Sequence, residues 1–290
     1  MQYLLFAISI TATVVQSTLF NHVGKKELRS SRSVWIFNTA LYLFSFILFL
    51  IGALGKPLSL FTLLFGLAFG LVTIIQSTCN LMALKRGPMH ITLLITTSSL
   101  VIPSLSGAIL NGERLSIGKL IAILVLLVFI YLSVDRSDKS TFKPGWLLFT
   151  LITFTMQAAV GIMQKTHQSS PYAAETAGFL AAAFFCSVIF AAAMTIVTKS
   201  AKSDAPAAKP GRALIPVAVV CGLCTYLQND LNLKLSGLIP SQIFFPVVNG
   251  GVLFLNALAA LLLFREKLTK RQIIGLTGGI LTLLIICILP

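Results

Sequence analysis

Two stretches of this chain carry the same polar side chains at the same spacing inside otherwise apolar sequence. "GLVTIIQSTCNLMALKRGP" (70–88) holds Thr73, Gln76 and Asn80, and "GLCTYLQNDLNLKLSGLIP" (222–240) holds Thr225, Gln228 and Asn232. Spacing of i, i+3, i+7 places each trio along one face of a helix. An amide donates and accepts hydrogen bonds, and one left facing lipid costs several kcal/mol. Such a stripe therefore either ties helices together or lines a wet cavity that recognises a polar solute. Asp230 and Lys234 occur only in the second copy, opposite Thr78 and Met82. Four residues apart with the acid first, they are placed to form a local ion pair. Asp230 is also the candidate to hold a cationic group or to exchange a coupling proton. Tyr226, next to this region, offers a ring that could stack on a planar solute or simply pack.

These residues must be positioned by helices in a bilayer. The chain has 290 residues, 57% hydrophobic and only 10% charged, with mean hydropathy +0.94. Soluble domains are typically about 25% charged. Ten apolar runs are long enough to span or nearly so, at 2–22, 33–53, 58–84, 88–111, 115–134, 145–165, 175–198, 213–236, 238–264 and 269–289. The first run has no basic segment before it and reads as a retained helix. The fold expected is an all-α membrane protein of ten transmembrane helices, multi-pass and integral to a bacterial-type plasma (inner) membrane. The net charge of +14 is a topology signal and not a nucleic-acid surface, because the basic residues sit in short connections between apolar runs.

The chain repeats itself. A shift of 152 carries Gln76 onto Gln228, and the same shift aligns Gly70 with Gly222, Thr73 with Thr225, Asn80 with Asn232 and Pro88 with Pro240. "ERLSIGKLIA" (113–122) matches "EKLTKRQIIG" (266–275) after one inserted residue, and Gln16 corresponds weakly to Gln157. The halves are 1–137 and 145–290, joined by a linker at 138–144. Five spans per half is an odd number, so the second copy enters the bilayer the other way round, as inverted repeats do. Of the 22 Lys and Arg, 17 fall in the connections after odd-numbered spans, which places those connections in the cytoplasm and both termini outside.

In this duplicated order the chain resembles the drug/metabolite transporter superfamily in its ten-helix EamA-like form. The resemblance rests on "GPMHITLLITTSSLVIPSLSGAILNGERLSIGKLIAIL" and "GLIPSQIFFPVVNGGVLFLNALAALLLFREKLTKRQIIGL", each a long apolar helix ending in a glutamate, a basic residue and a leucine before a short last helix. It implies alternating-access transport of small metabolites or drugs, through a central cavity between the halves. It also implies cytoplasmic termini, the reverse of the charge count, and "PVVNGG" departs from its usual apolar run.

The remaining candidates follow from position. Glu113 and Glu266 precede helix starts, where negative charge meets the positive end of the dipole, and Arg114, Arg265 and Lys267 are available to pair with them. Their role is structural first and gating second. "TTSS" (96–99) lies opposite Asn249, Gly250 and Gly251 in the repeat, and Pro103 and Pro246 should kink their spans. Glycines and freed carbonyls there are candidates to face solute, Asn249 among them. Cys79, Cys186, Cys221, Cys224 and Cys287 fall in apolar segments and read as packing residues. His22, His90 and His167 show no metal-ligand spacing, and no cofactor or catalytic residue is expected.

The function expected is secondary active transport of a small polar or amphiphilic solute, proton-coupled or by exchange. The partners are that solute, lipid and candidate coupling protons, as a monomer or homodimer. The rivals are a membrane-embedded enzyme, for which the eight acidic residues form no cluster, and a non-transporting scaffold.

Overall fold

A computed structural model of the chain describes residues 2–26, 31–87, 89–114, 116–133, 143–200, 213–264 and 269–289. It is 89% helix, with no strand among the described residues. The helices are α1 (Gln2–Lys26), α2 (Ser31–Ala53), α3 (Leu60–Arg86), α4 (Met89–Ser98), α5 (Val101–Asn111), α6 (Ile117–Ser133), α7 (Trp146–Gln168), α8 (Thr176–Ser200), α9 (Leu214–Leu238), α10 (Ser241–Phe264) and α11 (Lys270–Ile288). Each expected apolar run is helical. Seven helices, namely α1, α2, α3, α7, α8, α9 and α11, are long and apolar enough to cross a membrane, and the segments Ile95–Leu110, Ile117–Ser133 and Ser241–Asn256 are shorter apolar helix. Side-chain distribution agrees with a lipid surround. Ile109 and Ile288 are each 81% exposed, while Ser9, Ser45, Ser104 and Ser236 are fully buried. Water would penalise that arrangement; hydrocarbon favours it. The molecule has the architecture of a multi-pass integral membrane protein.

The chain forms two compact units, one of residues 1–71 and 171–234, the other of 72–170 and 235–290. Each unit draws helices from both sequence halves, so the repeat boundary and the unit boundaries are different divisions of the chain. Residues 138–142 of the linker lie outside the described residues, as do 201–212 and Glu266.

In the first unit α2 packs along α8. Gly66 and Gly70, four apart on α3, let α3 close on the same helix: a Cβ at either would lie 2.5 Å from a backbone oxygen, of Phe179 or Ala183. Gly222 brings α9 equally close to Leu41, and its carbonyl accepts the Ser45 hydroxyl at 2.9 Å. Phe37, Leu41, Leu214, Ala218 and Cys221 form the buried centre there. The start of α3 is capped twice over: Ser59 Oγ accepts from the Thr62 N–H, and the Glu175 carboxylate accepts from both Ser59 N (2.9 Å) and Ser59 Oγ (2.7 Å).

In the second unit α6 packs on α11, α10 on α5 and α11, and α7 on α4 and α5. Leu100, Ile123, Leu126, Ile130, Phe254 and Ile286 make its apolar centre. Trp146 Nε1 donates to Thr92 Oγ1 at 2.8 Å, fastening the start of α7 to α4. A capping box between Thr269 and Gln272 starts α11.

The fourth expected span is in two pieces. Thr96 Oγ1 and Ser98 Oγ donate back to the carbonyls of Thr92 (2.9 Å) and Ile95 (2.7 Å), and Ser99 N and Leu100 N close tight i→i−3 turns on Thr96 and Thr97. Pro103 has no N–H to give the Ser99 carbonyl, which accepts from Ile102 instead at 3.1 Å. The helix stops at Ser98 and restarts at Val101. Pro246 sits inside α10 without interrupting it, and Asn249 Nδ2 donates to the Phe245 carbonyl at 2.8 Å. Of the two prolines expected to kink their spans, Pro103 lies just after a break and Pro246 lies within an uninterrupted helix.

Candidate functional site

Three groups of polar side chains lie inside the helices. The most highly charged is in the second unit. At the end of α5, Gly112 adopts φ +64°, a backbone conformation open to glycine and strained for other residues. That turn sends Glu113 back over Gly107, where any Cβ would collide with the Glu113 carboxylate and the Ser241 hydroxyl. Glu113 then meets Lys165 of α7, Oε1 to Nζ, at 2.6 Å, with side-chain exposures of 16% and 7%.

Both charges reach helix ends. Lys165 Nζ donates to the carbonyls of Ser236 (2.8 Å) and Ile239 (3.1 Å), where α9 finishes. The Glu113 carboxylate accepts from Ser241 N (2.8 Å) and Ser241 Oγ (3.3 Å), where α10 begins. The cation lies at a C-terminus and the anion at an N-terminus, so each charge suits its dipole. Gln242 adds a neighbouring tie, donating to the Arg114 carbonyl at 3.0 Å and accepting from Ser116 N at 3.1 Å. The sequence expectation is corrected in two respects. Glu113 caps α10, 128 residues away, and not the helix that follows it; its ion partner is Lys165, whereas Arg114 is exposed. No local pattern reports a contact of that range, although a lysine one turn from the end of an apolar helix was a signal available to be weighed.

The second group is the stripe on α9, in the first unit. Gln228 Oε1 accepts from Thr13 Oγ1, Gln228 Nε2 donates to Gln16 Oε1 at 2.7 Å, and Asn232 Oδ1 accepts from Ser9 Oγ at 2.6 Å. Ser9, Thr13 and Gln16 lie along one face of α1, so two polar stripes close on each other like a zip. Thr225 Oγ1 donates to its own helix at Cys221 O (2.9 Å). Tyr226 packs on Phe49 of α2, ring centroids 4.6 Å apart. Asp230 pairs with Lys234 at 2.7 Å, the lysine half-exposed. The α1 face, legible in sequence as the i, i+4, i+7 spacing of Ser9, Thr13 and Gln16, was missed except for Gln16.

The third group lies in the second unit. Thr73, Gln76 and Asn80 are half-buried on α3, and Asn80 Oδ1 is buried with no hydrogen-bond partner among the described residues. Ser99, at the α4/α5 break, is fully buried and its Oγ likewise has no partner among them. Buried polar atoms are normally satisfied, so two such oxygens are positions where a ligand or water would gain hydrogen bonds.

No family model matches the sequence, and no curated protein matches it. Twenty-nine solved chains match the structure. One of them, described as "Crystal structure of protein", superposes with TM-score 0.77 at 14% identity, over 99% of this chain and 96% of that chain. At that identity the likeness shows the fold alone.

Proposed function

We propose that the chain is a secondary active transporter of the ten-helix EamA-like kind. In this reading two inverted five-helix repeats move a small polar or amphiphilic metabolite or drug by alternating access, driven by protons or by exchange. The observation that carries the reading is which helices pack together. By the sequence repeat, α2 is the counterpart of α8, α5 of α10 and α6 of α11, and each of these helices packs on its own counterpart. Self-pairing is what a twofold axis produces for the equivalent helices that lie beside it, and inverted repeats are a hallmark of secondary transporters.

Solute recognition falls to the side chains that the protein leaves unsatisfied. These are Asn80 on α3, whose face Gln76 and Thr73 share, and Ser99 at the α4/α5 break, the kind of element that transporters use at their binding sites. Gln228 and Asn232 serve to hold α1. Asp230 remains the coupling candidate, with Lys234 as a partner that solvent can replace.

The zipped α9 stripe is also what a non-transporting scaffold would contain. One experiment separates the two. The purified protein in nanodiscs is screened by thermal shift against amino acids, nucleosides, amines and cationic drugs. Solutes that raise the Tm are then tested for counterflow in proteoliposomes. The transporter reading expects at least one stabilising solute to exchange across the membrane. Stabilising solutes without counterflow, or no stabilising solute in the whole set, would leave the scaffold.

A further inference from the structure

We propose that Glu113 and Lys165 form a gate latch: a dry ion pair that grips the α9–α10 turn in the closed state and comes apart when water enters. The proposal rests on the transporter reading above. Its geometry is that of a clasp. Gly112 aims the carboxylate, α7 supplies the ammonium, and between them the two charges hold the last carbonyls of α9 and the first N–H of α10. The elements gripped therefore come from α5, α7, α9 and α10, and all four meet at their ends, where a small separation admits water.

The energetic argument concerns why charges stand here at all. Taking an ammonium and a carboxylate out of water is costly, and replacing a buried pair by uncharged groups of similar shape is often neutral or stabilising. For static strength, then, a neutral contact would serve as well or better. What an ion pair supplies is near-balance between two states. Closed, the charges have each other and the helix ends; open, they recover hydration. An apolar plug has no such second minimum, because exposing it to water is uphill throughout. An element biased between two discrete arrangements is what a gate needs. Glu113 is the less buried partner, at 16% side-chain exposure against 7% for Lys165.

The test reads opposite signs from single and double variants. Hydrogen–deuterium exchange is followed on the peptide containing Ser236 to Ile243, in nanodiscs, for the wild type, Glu113→Gln, Lys165→Gln and the double variant. Each single variant strands one buried charge, so exchange there should rise about tenfold or more. The double variant strands none and removes the reward of hydration from the open state, so its exchange should fall below wild type, by about threefold or more. A static staple makes the contrary prediction: the double variant exchanges as fast as wild type or faster, and that result would overturn the latch. If a single variant does not fold, the double against wild type still decides. Counterflow of a solute identified above is measured in parallel. A slow-exchanging double variant that also transports slowly supports both proposals. The same exchange pattern in a protein with no counterflow would remove the transporter and keep a two-state hairpin, whereas counterflow with a loosened double variant would remove the latch alone.

Discussion

The polar stripes on α3 and α9 share residue types and spacing, yet they end in different circumstances. On α9, Gln228 bonds through both its amide oxygen and its amide nitrogen to Thr13 and Gln16 of α1, and the Asn232 oxygen accepts from Ser9. On α3, the corresponding Asn80 keeps a buried oxygen with no partner among the described residues. Both helices carry the same polar residues, and the neighbourhood decides their use. An amide whose hydrogen bonds are complete is an architectural tie, while one whose bonds are incomplete is free to bind something else.

The sharpest way to break that contrast is Gln228→Leu. It deletes two interhelical hydrogen bonds and strands Gln16, while Thr13 can still donate to the Ser9 carbonyl, so unfolding in detergent should become easier by roughly 2 kcal/mol. Affinity for a solute that stabilises the wild type should stay within about twofold. A stable variant that has lost that solute would reverse the roles assigned to the two stripes. Next in size is Asn80→Ala. Solute affinity should fall about tenfold, equivalent to about 1.4 kcal/mol, with the Tm unchanged or slightly raised, because no internal bond is removed. A drop in Tm with affinity intact would show that Asn80 is a tie like its counterpart. The smallest effect expected is that of Asp230→Asn on stability, about 0.5 kcal/mol or less by thermal melt, since Lys234 is half-exposed and such pairs contribute little. Its counterflow measured against pH then asks whether the carboxylate couples: an unchanged profile would strike Asp230 from the coupling role.

How much of this was legible beforehand depended on the range of the interaction. Hydropathy located every helical run to within a few residues, because crossing hydrocarbon demands length and apolarity that no local competition disguises. The i, i+4 pairing of Asp230 with Lys234 was legible for the same reason, being confined to one helix. Pro103 drew attention to the fourth span but not to the break itself. At that break the hydroxyls of Thr96 and Ser98 turn back onto the backbone, whereas Ser241, five residues before Pro246 as Ser98 is before Pro103, gives its hydroxyl to Glu113. Glu113 was marked by its motif, yet its cap on Ser241 and its pairing with Lys165 join residues far apart in the chain. Composition cannot report which distant helix end a carboxylate will find.

The grip on the α9–α10 turn has a consequence for biogenesis. Translation runs from the N-terminus, so Glu113 and Lys165 leave the ribosome well before Ser236 or Ser241 exists. Two charges parked in a membrane without that turn can neutralise each other, since the pair needs only α5, α7 and the Gly112 bend. The α9–α10 hairpin, made later, thus finds a ready-made polar seat, ammonium for one helix tail and carboxylate for the next helix head, which selects its docking depth and its register in a single step.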